Sequence, residues 1–394
     1  MATNGGGGYA MDGSDFVHTG PGTLAGRYMR MFWQPVYRSE DLAPGRAKPI
    51  RIMSEELTLY RGEGGTPHVV AFRCAHRGTQ LSTGWVEDDN LRCFYHGWMY
   101  APDGQCVEQP AEPEPFAQKV RIRSYPTEEY LGLIFAYMGE GEAPPFPRYP
   151  DFERDDVIYQ IQVYHARPCN YFQVLEKHVD YARSEFVHRK TGLGIPTVSV
   201  EESDWGITMN AQRPGGEVRT LQFGMPNLMH NLKPRGNEEE TGWRDDISWR
   251  VPIDDEHHSS FNIKLVHVTG DAAKRHLERR AAQLAKESGE EAELGQAVLA
   301  GLIEIKDLED RDDIGITSVQ DHVYQVGQGA IPARENDYLG AADVGVILLR
   351  QIWMRELRAL AEGRPLKQWV RSERVQATSS ERVLVTGPPG SGRG

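Results

Sequence analysis

Two short motifs carry the clearest chemistry in the chain: Cys74-Ala75-His76 and, after a gap of sixteen residues, Cys93-Phe94-Tyr95-His96. Two thiolates and two imidazoles suit a [2Fe-2S] centre in which Cys74 and Cys93 hold one iron and His76 and His96 the other. Imidazole ligation raises the potential well above that of an all-cysteine cluster. The same donors also make an ordinary structural zinc site. Zinc spacing usually pairs Cys with Cys and His with His, whereas each motif here supplies one of each. Arg77-Gly78 and Gly97-Trp98 follow the two motifs. The glycines let the backbone turn closely around inorganic sulfide, to which its amides can donate.

The two motifs resemble the Rieske ferredoxin fold. A second resemblance runs through Asn170 to His188, read as one helix with Phe172, Leu175, Val179 and Ala182 on its core face. This segment is similar to the iron-binding stretch of Rieske non-heme iron oxygenase large subunits, whose pattern is Asp-x-x-His and, four residues later, a second His. Further on, Trp249 to Phe261, Gln320-Asp321-His322, Gly327 to Ile331, Leu339 to Val344 and Leu360 to Leu366 resemble the phthalate dioxygenase and vanillate O-demethylase branch. The likeness spans about residues 27 to 370.

In that family two histidines and a carboxylate hold a mononuclear Fe(II). The resemblance carries two of these roles to His188 and Asp321. It makes Asp180 the carboxylate that links a cluster histidine of one subunit to an iron histidine of its neighbour. The remaining ligand position is Arg183, whose guanidinium is a donor only and has no lone pair for a metal. Lys177 stands where the family commonly has Asn. On a continuous helix Lys177, Asp180 and Arg183 are neighbours, so Asp180 is expected to pair with either cation. His178 is the nearby substitute ligand, although it lies roughly 140° around such a helix from position 183.

The surrounding elements read as follows. Residues 1–26 and 373–394, Gly-rich at one end and Gly/Pro-rich at the other, are expected to be disordered. Residues 27–145 have the short alternating runs of an all-β domain, around Leu57 and Leu59, His68 to Phe72, and Leu131 to Met138. The proline-dense stretch from Ala143 to Pro150 reads as a stiff linker. Residues 146–372 then give strands at Ile247 to Val251 and at Phe261 to Val268, the latter with Phe261, Ile263, Leu265 and His267 on one face. Helices are expected at Ala272 to Glu287, Glu293 to Asp310, Ile316 to Val326 and Asp343 to Glu362. The fold class is α+β, and the resemblance implies a helix-grip (Bet v 1-like) sheet with helices as the second domain. His257 and His258 are placed at an exposed turn. His230 and His322 are within reach of the pocket, with no spacing that requires them there.

A net charge of −13 over 394 residues argues against nucleic acid as a partner. No apolar run approaches the roughly 20 residues that cross a bilayer, and a cytoplasmic location is expected. Cys106 and Cys169 are read as reduced thiols. The resemblance implies an oxygenase component that takes electrons from a reductase or ferredoxin and uses O2 to hydroxylate or O/N-demethylate a small aromatic substrate, as a homotrimer. Arg183 and Lys177 support an alternative, a non-catalytic or electron-transfer subunit that lacks the mononuclear iron.

Overall fold

The computed structural model describes residues 15–153, 158–191, 194–216, 218–233, 244–266, 268–286 and 289–371. The first part of the chain forms three small antiparallel sheets. One joins β1 (Gln34–Arg38), β10 (Thr127–Tyr130) and β11 (Leu133–Ala136), with β11 in the middle. A second has the order β2 (Arg46–Ile52), β3 (Glu55–Arg61), β4 (Pro67–Ala71), β9 (Ser124–Tyr125). The third runs β5 (Trp85–Glu87), β6 (Asn90–Arg92), β7 (Met99–Tyr100), β8 (Cys106–Glu108).

Strand β3 explains why there are two cores in this half. Successive strand residues point to opposite faces, and both faces of β3 are covered. Leu57 and Leu59 face the main core, while Tyr60 faces a smaller one with Val70, Leu81, Leu91, Trp98, Tyr100, Cys74 and Cys93. The smaller core lies under the two ligand loops.

The second part is a seven-stranded antiparallel sheet in the order β12 (Ile158–Arg167), β18 (His258–Val266), β17 (Arg244–Pro252), β16 (Leu228–Lys233), β15 (Val218–Gly224), β14 (Gly206–Gln212), β13 (Thr197–Glu202). Register places Val163, Phe261, Trp249 and Leu228 side by side. This apolar face meets the first half: Trp249 packs edge-on against Phe135, with ring centroids 5.5 Å apart. The other face carries Phe223, Met229, Ser248 and Asn262 in register and turns toward the helices.

The helices are α1 (Leu24–Arg30), α2 (Tyr171–Val179), α3 (Ser184–Val187), α4 (Gly270–Lys286), α5 (Glu291–Leu299), α6 (Ile305–Leu308), α7 (Ile316–Val326) and α8 (Val344–Ala361). The expected apolar stripe on α8 is present, with Val346, Leu349, Trp353 and Leu357 buried. At Gly345 a Cβ would stand 2.1 Å from the carbonyl oxygen of Val179. Glycine is what lets α8 abut the end of α2.

Several expectations need correction. Residues 15–26 are packed rather than mobile: Phe16 and Val17 are buried, Phe16 stacks on Phe172, and Tyr171 donates to the Phe16 carbonyl at 2.6 Å. Residues 1–14 and 372–394 lie outside the described residues, as does His267. The proline stretch is not a free strut. Phe146 inserts among Trp33, Tyr130 and Phe135, and Trp33 donates to the Pro144 carbonyl. The helix expected over Glu293 to Asp310 is two helices, α5 and α6, interrupted after Ala300, where Gly301 takes φ 71°.

Candidate functional site

The two ligand loops are built alike. In the first, Cys74 N–H donates to the Thr79 carbonyl and Gly78 N–H to the Cys74 carbonyl; in the second, Cys93 N–H donates to Trp98 and Gly97 N–H to Cys93. Gly78 and Gly97 take φ of 76° and 74°, a left-handed conformation that an L side chain resists. Each Cys–Gly pair therefore closes the same tight loop, and the pseudo-symmetric loops bring both thiols under cover, Cys74 3% and Cys93 1% exposed. The His76 and His96 rings lie 4.6 Å apart.

These residues fit a binuclear cluster. The buried Nδ1 of His76 has no hydrogen-bond partner among the described residues, as expected of a nitrogen reserved for a metal. Tyr100 hydroxyl lies 3.1 Å from Cys74 Sγ and accepts from Ala75 N–H, so it supports the sulfur and its loop together. Burial, the largest influence on Cys93, pushes its thiol up. A metal is thus what would keep it as thiolate. Trp98 stacks on His76 at 4.5 Å and 7°, shielding one face of the imidazole. On the second loop Phe94 and Tyr95 remain exposed next to His96, and the exposed Trp85 lies 5.5 Å from Phe94.

The second centre is assembled from distant segments, and its local structure differs from the expected single helix. Helix α2 starts at Asn170, whose side chain accepts from Phe172 N–H, and ends at Asp180, with φ −105° and ψ 92°. The Asp180 carboxylate accepts from Arg183 N–H at 3.4 Å, a short polar turn that competes with continued helix. The chain resumes as the brief α3. Arg183 folds back, and its Nε donates to the Lys177 carbonyl at 3.1 Å. A guanidinium thus satisfies a terminal carbonyl where a cation suits the helix dipole.

This break separates side chains that a helical wheel would group. Lys177 does not pair with Asp180: its Nζ lies 2.5 Å from Asp321 Oδ2, on α7. His188 reaches the same carboxylate, with Nε2 at 3.6 Å from Asp321 Oδ1, while its Nδ1 sits 2.8 Å from Gln320 Oε1. His188 and Asp321 are therefore brought together as expected. His178 is not joined to them. Its Nε2 is 3.2 Å from an Arg250 nitrogen, and it lines a small space over the sheet with Ile207, Met209, Phe223 and Met229. Among the described residues no three or more His, Cys, Asp or Glu side chains converge on one metal position.

The electrostatics of this centre are cationic. Burial pulls the Lys177 ammonium down from the usual lysine range, against the attraction of Asp321, and Arg183 and Arg250 add repulsion. Burial acts to raise the Asp321 carboxyl, but Lys177 above all, with Arg183 and His188, outweighs it and holds the group below the usual carboxylate range. Arg250, fully enclosed, is lowered to about 10, chiefly by burial. Lys177 and Arg183 both lie over the Tyr324 ring, at 5.6 and 5.7 Å. Burial raises the pKa of Asp180, and Asp343 adds to this.

Spacing gave no sign of His258. It is fully buried at the start of β18 rather than exposed at a turn, with Nδ1 2.9 Å from the Cys169 carbonyl oxygen. Burial lowers it to about 3. His322 is enclosed against Gln296, and His230 pairs with Asp245 at 3.0 Å on the Leu228 face of the sheet, away from the helices. A groove of about 600 Å³ runs between α5 and α7 past His322, away from the Asp321 carboxylate.

Comparison with known proteins agrees with this geometry. Residues 32–126 match the Rieske [2Fe-2S] domain. The chain is 30% identical to the 5,5'-dehydrodivanillate O-demethylase oxygenase subunit of Sphingobium sp. over 377 residues, 91% of this chain and 82% of that one. It is 31% identical to phenoxybenzoate dioxygenase subunit alpha of Ectopseudomonas oleovorans, covering 87% and 84% of the two chains. Among solved structures, NdmA of Pseudomonas putida CBB5 superposes with a TM-score of 0.65 at 18% identity, over 87% of this chain and 94% of that one. Dicamba monooxygenase bound to dicamba gives 0.62 at 18% identity, over 86% and 100%. With its paired Cys–His loops in front of a helix-backed antiparallel sheet, the chain belongs to the family of Rieske aromatic-ring oxygenase subunits.

Proposed function

We propose that this chain is the oxygenase-component subunit of a Rieske system. Its cluster would receive single electrons from a reductase or ferredoxin, in support of hydroxylation or O/N-demethylation of a small aromatic compound with O2. The observation that carries the reading is the pair of matching loops that bury Cys74 and Cys93 and leave His76 Nδ1 without a hydrogen-bond partner among the described residues. The exposed Trp85, Phe94 and Tyr95 around His96 offer an apolar rim on which a redox partner or neighbouring subunit can seat. A solved relative in fold is titled as an oxygenase and ferredoxin complex of carbazole 1,9a-dioxygenase, with a TM-score of 0.58. The proposed assembly is a cyclic homotrimer in the cytoplasm, because head-to-tail contacts close into rings. In it Asp180 would connect one subunit's cluster to its neighbour's second centre. No helix among the described residues is long and apolar enough to cross a membrane.

Anaerobically purified protein tests the cluster: a reduced-state EPR signal of a mixed Cys/His cluster, with two sulfides per chain, is expected. A colourless protein with one zinc per chain would overturn it. A monodisperse monomer at micromolar concentration would rule out the ring. The Lys177–Asp321 contact favours a second reading, an electron-transfer subunit whose oxygen chemistry belongs to a chain with an intact ligand set.

A further inference from the structure

The family implies a mononuclear iron at the second centre, and the residues present do not fit one. Two donors of the expected set, His188 and Asp321, face each other, and the buried Asp321 Oδ1 has no hydrogen bond among the described residues. The third position is Arg183, turned back onto the Lys177 carbonyl. The other carboxylate oxygen is held by Lys177. A divalent ion between His188 and Asp321 would meet the Lys177 Nζ already seated on Asp321 Oδ2 and the Arg183 guanidinium nearby, with one carboxylate among them, in a buried setting where like-charge repulsion is weakly screened.

We infer that the Lys177 ammonium is the resident cation of this centre, filling by covalent attachment the charge role that a metal ion has elsewhere in the family and excluding a divalent metal from the site. The inference rests on the family reading above but not on any activity. Lys177 neutralises Asp321, Arg183 caps the helix that presents Lys177, and both lie against Tyr324. Lys177, Asp321, Arg183 and Tyr324 form one packed unit, so charge and position support each other. An Asp321 carboxylate left alone at this depth would need some cation, and the chain supplies its own.

The test compares metal content with cluster content. Full-length protein is incubated anaerobically with excess Fe(II), desalted, and assayed for iron and acid-labile sulfide. Wild type is expected to hold two irons per two sulfides. The Lys177→Asn/Arg183→His double variant, its fold verified by an unchanged cluster EPR spectrum, is expected to hold three. In a second measurement, Co(II) should raise the melting temperature of Lys177→Ala and leave that of wild type unchanged, since only in the variant is Asp321 Oδ2 free of the Lys177 ammonium. Three irons per two sulfides in wild type would overturn the inference while leaving the Rieske reading intact. So would a double variant that keeps its cluster yet stays at two irons, or a Lys177→Ala protein indifferent to Co(II). Absence of sulfide in wild type would instead strike the family reading itself.

Discussion

The cluster end and the second centre differ in how far apart their residues lie along the chain. Cys74, His76, Cys93 and His96 come from two loops, each closed by its own backbone hydrogen bonds within five residues. The second centre takes Lys177 and Arg183 from either side of a helix break, His188 from beyond α3, and Asp321 from α7. A locally closed loop defines its ligand geometry almost by itself. A centre gathered across about 145 residues depends on every element between, and with Lys177 and Arg183 in it, it holds an ion pair rather than three metal donors.

The largest expected effect breaks the first member of this comparison. Cys93→Ser should abolish the visible spectrum and the reduced-state EPR signal, because one of only two sulfur ligands is lost. A cluster that survives with unchanged spectra would show that Cys93 is not a ligand.

Breaking the other member needs a different residue. Glu176, on α2, is clamped by Arg334, with contacts of 3.0 and 2.8 Å, and by Arg350 at 2.6 Å. Glu176→Gln leaves two largely buried guanidiniums short of a carboxylate, a loss of about 3–5 kcal/mol. Denaturant unfolding followed by tryptophan fluorescence should show it. If the two ends are as separate as their construction indicates, the cluster EPR spectrum of the folded variant will be unchanged.

Acid should also act on the second half first. His258 stays neutral in the folded chain down to about pH 3, whereas unfolded it protonates near 6.5. Below 6.5 the unfolded state binds the extra proton, so this contribution is complete above 6.5, falls with acidification, and changes no further below about 3. Between pH 7 and 5 the loss is about 2 kcal/mol. Urea midpoints at the two pH values should differ more for wild type than for His258→Asn, and equal differences would remove the assignment.

The smallest effect concerns where the ligand helix begins. Asn170 caps α2 through Phe172 N–H and donates to the carbonyls of Val17 and Asp255. Asn170→Ala is expected to cost about 1 kcal/mol for the cap, with some addition from the two bonds that tie the N-terminal segment down. A melting temperature equal to that of wild type would show that α2 is positioned without its cap.

Much of this molecule was legible in the sequence because it is local. Residue type and spacing pointed to the cluster ligands and the apolar stripe of α8, and the family resemblance pointed to the misfit at Arg183. A guanidinium cannot ligate wherever it is placed. Reading Asn170 to His188 as one helix failed at Asp180, where a carboxylate-to-backbone contact outcompeted helical continuation. That error sent Lys177 to the wrong partner, since a helical wheel knows only neighbours on its own helix.

Sequence alone therefore pointed to the family by resemblance, to four candidate cluster ligands, and to an arginine at position 183 where the resemblance expects the second iron histidine. Tertiary structure decided that Lys177 meets Asp321, that Arg183 caps α2, that His178 faces Arg250 and the sheet, and that His258 is buried beside Cys169. The first group follows from what each side chain is chemically able to do. The second follows from packing between segments far apart in the chain, such as the close approach of α8 to the end of α2 at Gly345, which no local pattern encodes.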